Sequence, residues 1–194
     1  MHRWAPEEIG SQLHLQKMDA RLGEITECAP DAAILLTADH SMNKKTRCWN
    51  LAKVCENKGV PLLFALSPER DYYIKHHKNY TGCSWIWLKD PKDKEPVREI
   101  LKSLEGVDDV YDSKYIADKY KTSIDHIGDL VVEGDKNTMF GDSDEEYEIL
   151  DAGYRAHGSL HEMELPMIIY NTNLEIDKFN ELTHNKDLTI HLWD

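Results

Sequence analysis

Ala33-Ile34-Leu35-Leu36-Thr37-Ala38-Asp39-His40-Ser41-Met42-Asn43 decides the fold, because an apolar run ends there abruptly in a carboxylate beside an imidazole. Flanked by Pro30-Asp31 and a polar segment, the run predicts a short, fully buried strand. In open α/β sheets, sites form just beyond the carboxyl ends of strands. Asp39 and His40 stand at that place, and carboxylate oxygen and imidazole nitrogen are both good zinc ligands. The plainer alternative is an Asp that caps the following turn beside an incidental His. The dipeptide alone does not separate the two.

The totals bound the rest. A chain of 194 residues with 41% hydrophobic and 30% charged residues has enough apolar material for a real core. A net charge of -13 would repel a phosphate backbone or an anionic surface, so neither nucleic acid nor membrane is an expected partner. A small phosphorylated substrate stays open, since a metal can reverse the local field. No apolar run approaches a membrane span, and residues 1–20 lack a signal-peptide core. Cys28, Cys48, Cys55 and Cys83 form no CxxC pair and read as the reduced, partly buried thiols of a cytoplasmic protein.

Outward from the opening stretch, Pro6-Glu7-Glu8 suits a helix start, and Ile9, Leu13, Met18, Leu22 and Ile25 give that helix one apolar face. After the Asp39-His40 corner, residues 43–47 read as a basic loop, and Leu51 to Cys55 as a helical stretch. From Val60 the pattern changes. Strands are expected at 61–66, 83–88, 107–111 and 129–134, with helices at 94–104 and 113–120. Residues 141–151 read as an exposed acidic loop, and 165–170 as a strand. This order predicts an α+β subdomain over 60–135, inserted between a metal-site core at 1–59 and a return to that core at 136–171, with a tail at 172–194.

Three ordered segments resemble the alkaline phosphatase superfamily, in its phosphonoacetate hydrolase and nucleotide pyrophosphatase/phosphodiesterase branch. Thr37-Ala38-Asp39-His40-Ser41-Met42-Asn43 is similar to that branch's T-A-D-H-G-M-N. Arg155-Ala156-His157-Gly158-Ser159, with Glu162 and Pro166, is similar to R-S-H-G-x-x-x-E-x-x-x-P. Gly128-Asp129-Leu130-Val131-Val132 and Gly134-Asp135-Lys136-Asn137-Thr138 resemble the stretch G-D-x-V-V followed by D-x-x-T. Ser67-Pro68-Glu69-Arg70-Asp71 with Lys75-His76-His77 adds a weaker match to phosphonoacetate hydrolases. The resemblance implies an α/β fold, the carboxyl-terminal part of an alkaline-phosphatase-like sandwich carrying the inserted α+β subdomain.

It also implies a site. Two divalent metal ions, usually zinc, would be held by carboxylates and histidines: Asp39 and His40 on one, His157 on the other. His2 matches the histidine of a D-x-x-x-H motif on that second metal. The implied activity is metal-dependent hydrolysis of a phosphonate or phosphate ester, phosphonoacetate yielding phosphate and acetate through a covalent phosphoenzyme. A nucleotide pyrophosphatase or phosphodiesterase is the neighbouring possibility. The family's nucleophile and two metal-binding Asp have no counterpart in this sequence. The resemblance therefore implies a fragment, an incomplete chain of such a hydrolase, or alternatively a non-catalytic remnant or partner subunit, with a second copy in a homo-oligomer or a complementary amino-terminal half as its partner.

Lesser candidates keep two readings each. His161 could share a helical face with His157 or sit on the rim. His76-His77 look like a ligand pair but stand among lysines, as solvated or rim residues. Lys44, Lys45 and Arg47 could attract an anion or form a solvated basic loop. Trp85 and Trp87 read as strand packing.

Overall fold

The computed structural model describes residues 3–68, 79–172 and 175–191. In chain order the elements are α1 (Ile9–Cys28), β1 (Ile34–Leu36), β2 (Asn43–Lys44), β3 (Arg47–Trp49), α2 (Leu51–Asn57), β4 (Leu62–Leu66) and β5 (Cys83–Leu88). Next come α3 (Lys94–Lys102), β6 (Val107–Asp112), α4 (Ser113–Tyr120), β7 (Leu130–Gly134) and β8 (Thr138–Phe140). The last are β9 (Tyr147–Ile149), β10 (Arg155–Ala156), β11 (Ile168–Tyr170) and α5 (Ile176–Asn180). They fall into two compact units, one built on Met42–Glu162 and the other on Pro6–Ser41 with Met163–Asp194.

The core of the larger unit is a four-stranded antiparallel sheet in the order β4-β5-β7-β6. Central β7 reads Leu-Val-Val-Glu-Gly and is buried at every position, as expected of a strand covered on both faces. Period-2 alternation sends Ile86, Leu88, Leu130 and Val132 to one face, against Leu51 and Cys55 of α2 and Val97 and Leu101 of α3. Val131 and Trp85 face the opposite way, against Ile116 and Ala117 of α4. Trp87 sits over Phe64 with ring centroids 5.6 Å apart, so both tryptophans serve packing.

The G-D stretch has a structural explanation here. Gly128 adopts φ +70°, and a Cβ there would lie 2.4 Å from the Ile86 carbonyl oxygen. That close approach lets the Asp129 carboxylate accept from the Leu88 N–H at 2.8 Å, closing the end of β5. Asp135 in turn accepts from the Asn137 N–H at 2.8 Å and the Thr138 hydroxyl at 2.7 Å, an Asx turn that starts β8.

Several expectations need correction. Residues 43–47 form no solvated loop: β2 pairs antiparallel with β10, and β3 pairs with β8 and β9. Residues 141–151 contain β9. Two- and three-residue strands of polar composition carry too few positions for an alternation to show. In the smaller unit, β1 pairs antiparallel with β11 and is half-buried, not fully buried. Among the described residues β11 is its only strand neighbour, so one edge of each strand is open. The helix expected after Pro6 forms as α1, but Ser11 is its only buried residue. Ile9, Leu13, Leu15, Met18 and Ile25 are all exposed. The tail contributes Phe179 and Leu188 as buried side chains. Among the described residues, no helix is long and apolar enough to cross a membrane.

This asymmetry sets a stability prediction. Leu101→Ala, which opens a cavity in the main core, should cost about 3 kcal/mol in urea denaturation, whereas Leu13→Ala on α1 should change it by less than about 0.5 kcal/mol.

Candidate functional site

Asp39 and His40 follow β1 after Thr37 and Ala38, at a corner where the Asn185 side-chain amide donates to the Ala38 carbonyl at 3.0 Å. The His40 N–H donates to Asp39 Oδ1 at 3.0 Å, which folds the carboxylate back beside its neighbour. His40 Nδ1 lies 2.9 Å from the Ser41 carbonyl oxygen. A carbonyl only accepts, so Nδ1 carries the hydrogen, and in the neutral ring Nε2 keeps the lone pair. That Nε2 stands 3.5 Å from Asp39 Oδ2. Two ligands bonded to one zinc at about 2.1 Å with a tetrahedral angle are roughly 3.4 Å apart. The pair therefore has the bite, tautomer and backbone support of two ligands on one cation.

His157 lies in the larger unit, half-buried, between β10 and a 3-10 turn at Leu160–Glu162. Its carbonyl accepts from the Gly82 N–H at 3.0 Å. Gly158 follows at φ +108°, with the position of its missing Cβ 3.1 Å from the Gly82 nitrogen and from Thr81 Cβ. Only glycine tolerates both that dihedral and that approach, which explains the glycine after the histidine in physical terms. His161 does not share a helical face with His157. Its Nε2 meets Asp108 Oδ2 at 2.6 Å on the surface, the rim reading. His2, His76-His77 and Glu69 to Lys75 lie outside the described residues. Asp39 and His40 belong to the smaller unit and His157 to the larger. Among the described residues, no group of three or more His, Cys, Asp or Glu side chains gathers to hold a metal.

The sequence reading missed the best-defined polar cluster. Lys45 is fully buried, with its ammonium 2.9 Å from Glu162 Oε1, and Glu162 itself is 1% exposed. The same oxygen accepts from the Asn43 amide at 2.7 Å. Oε2 accepts from the Ser159 N–H and the Ser159 hydroxyl, both at 2.8 Å. All four acceptor positions of one carboxylate are thus filled from three points of the chain. Burial alone would raise the Glu162 pKa; Lys45, Asn43 and Ser159 outweigh it and hold the carboxyl below its ordinary value. Lys45 is therefore no anion-attracting surface lysine. Arg47 is likewise engaged, 3.1 Å from Glu105 and 3.9 Å from Asp135. The one signal in the sequence was the recurrence of Asn43 and Glu162 inside the two quoted motifs.

Glu133 lies close by on β7. Burial pushes its pKa up to about 7, helped by Asp108 and Glu162 and opposed by the Leu160 N–H. Its Oε2 has no hydrogen-bond partner. The folded value exceeds the unfolded 4.5, so its contribution to stability is complete below about pH 4.5 and is lost as pH rises through about 7. Glu133→Gln should therefore be more stable than the unsubstituted chain at pH 8, by up to about 3 kcal/mol, with most of the advantage gone by pH 5 and all of it by about pH 4 in paired thermal melts.

The type I phosphodiesterase / nucleotide pyrophosphatase family matches residues 1–160. Phosphonoacetate hydrolase from Sinorhizobium meliloti 1021, solved with phosphonoacetate and with phosphonoformate, is similar at 26% identity and a TM-score of 0.77 over 96% of this chain. Murine ectonucleotide pyrophosphatase/phosphodiesterase 5 is similar at 16% identity and a TM-score of 0.59 over 87%, a likeness of fold. The chain spans 45% of the first of these proteins and 43% of the second. It belongs to the type I phosphodiesterase / nucleotide pyrophosphatase family, in the branch of the alkaline phosphatase superfamily that includes phosphonoacetate hydrolase, and has that branch's mixed α/β fold.

Proposed function

We propose that this chain forms part of a metal-dependent hydrolase of phosphonates or phosphate esters, with phosphonoacetate as the favoured substrate. The observation that carries the reading is the Asp39–His40 pair, whose 3.5 Å separation and fixed tautomer suit one divalent cation. His157 and His2 are the proposed ligands of a second cation. Bound zinc at such centres supplies positive charge for the phosphoryl oxygens and lowers the pKa of a nucleophilic hydroxyl. The chain's own part is to hold donors in place. The Ser41 carbonyl keeps the His40 lone pair on Nε2, and the Gly82 N–H keeps the His157 backbone in register.

Greater identity and TM-score with phosphonoacetate hydrolase than with the ectonucleotide enzyme support phosphonoacetate over nucleotides. A second reading rests on α1. A 20-residue helix with one buried position has almost no packing of its own. In this reading the chain acts with a complementary polypeptide that supplies the rest of the family fold and covers that helix. The nucleophile then comes from the partner.

Phosphate release from phosphonoacetate by the purified chain with zinc tests both. Turnover that a chelator removes, and that His40→Ala lowers on the order of 10²-fold or more, is the expected result for the hydrolase. Turnover on a phosphodiester alone would move the substrate to the nucleotide class. Zinc binding without turnover on either would select the partner-dependent reading.

A further inference from the structure

The Glu162 carboxylate does more than neutralise a buried lysine. It receives donors from both metal-ligand motifs: Asn43, three residues after His40 in the chain, and Ser159, two residues after His157. Lys45, the residue just after β2, completes the set. Strand pairing reinforces the tie, since Ala156 faces Asn43 and Arg155 faces Lys44 across β2 and β10. Arg155 also donates from Nη2 to the Met42 carbonyl at 3.0 Å. The loop that carries His157 is thus pinned on one side by Glu162, through Ser159. On the other side Gly82 donates to the His157 carbonyl, with no room for a Cβ: one at Gly82 would stand 2.6 Å from the Ser159 nitrogen.

We propose that Glu162, with Lys45 as its counter-charge, is the positioning residue for His157, fixing the loop before any metal arrives. The proposal rests on the reading of His157 as a metal ligand, and it adds a requirement that reading does not contain. A carboxylate whose four acceptor sites are filled has one arrangement, so the backbone bonded to it has one as well. An ion pair that served stability alone could be replaced by apolar side chains of similar size without loosening the loop.

The test compares the unsubstituted chain, Glu162→Gln, Ser159→Ala and the double variant Lys45→Met/Glu162→Leu. The double variant guards against simple unfolding, because a buried ion pair exchanged for apolar side chains commonly keeps the fold. Amide exchange is read at Gly82, whose N–H bonds the His157 carbonyl. In the folded double variant, Gly82 exchange should accelerate about tenfold or more, while Val131 and Val132 in the sheet keep their protection. The His157 imidazole resonances, followed during titration with zinc alone, should respond at least tenfold more weakly, with the His40 response unchanged. Unchanged Gly82 protection in the folded double variant would overturn the positioning role. If the unsubstituted chain shows no zinc response at His157, the ligand reading fails, and the exchange measurement still decides whether Glu162 sets the loop.

Discussion

One buried carboxylate organises the best-defined part of this protein. Glu162 has lost its water and is held ionised by Lys45, Asn43 and both donors of Ser159. Removing any donor leaves an unpaired buried group, which costs more than an ordinary hydrogen bond contributes. The arrangement therefore behaves as a unit. It joins the segment that follows Asp39-His40 to the segment that contains His157, across 117 positions of sequence. Two segments distant in the chain, Asn43 to Lys45 and Ser159 to Glu162, become neighbours within the larger unit through polar bonds rather than apolar packing.

The units differ in how their apolar surface is used. In the larger, the sheet is covered on both faces, and its central strand is dry. In the smaller, α1 leaves five large apolar side chains in water, and β1 has one strand neighbour among the described residues. The solved relatives are more than twice as long as the part this chain matches, and in the partner-dependent reading proposed above that further polypeptide covers the helix.

Much of this was legible in the sequence. The strands and helices between Leu51 and Gly134 declare themselves through apolar periodicity, because each buries a defined face. α1 was legible as a helix but not as one apolar face: at about 100° per residue Ile9 and Leu13 lie on the opposite side from Met18 and Ile25, and all four are exposed. β2, β3 and β9 were not legible, being too short and polar for a period. Lys45 misled for a general reason: lysine is almost never fully buried unless paired, and its partner sits far along the chain. The motifs located Asp39, His40 and His157, but not that the glycines and acids among them were structural. Gly128 and Asp135 make turns, Asp129 closes the end of β5, Gly158 admits a close backbone approach, and Glu162 anchors a lysine.

The central claim is that the Asp39-His40 corner was shaped to hold a divalent cation. Anomalous diffraction at the zinc edge, from crystals of the chain grown with zinc, tests it most directly. The account predicts a peak about 2.0–2.2 Å from both an Asp39 carboxylate oxygen and His40 Nε2. No peak at that corner, with zinc instead in the acidic pocket lined by Tyr80, Asp142, Asp144, Glu145 and Glu148, would contradict it.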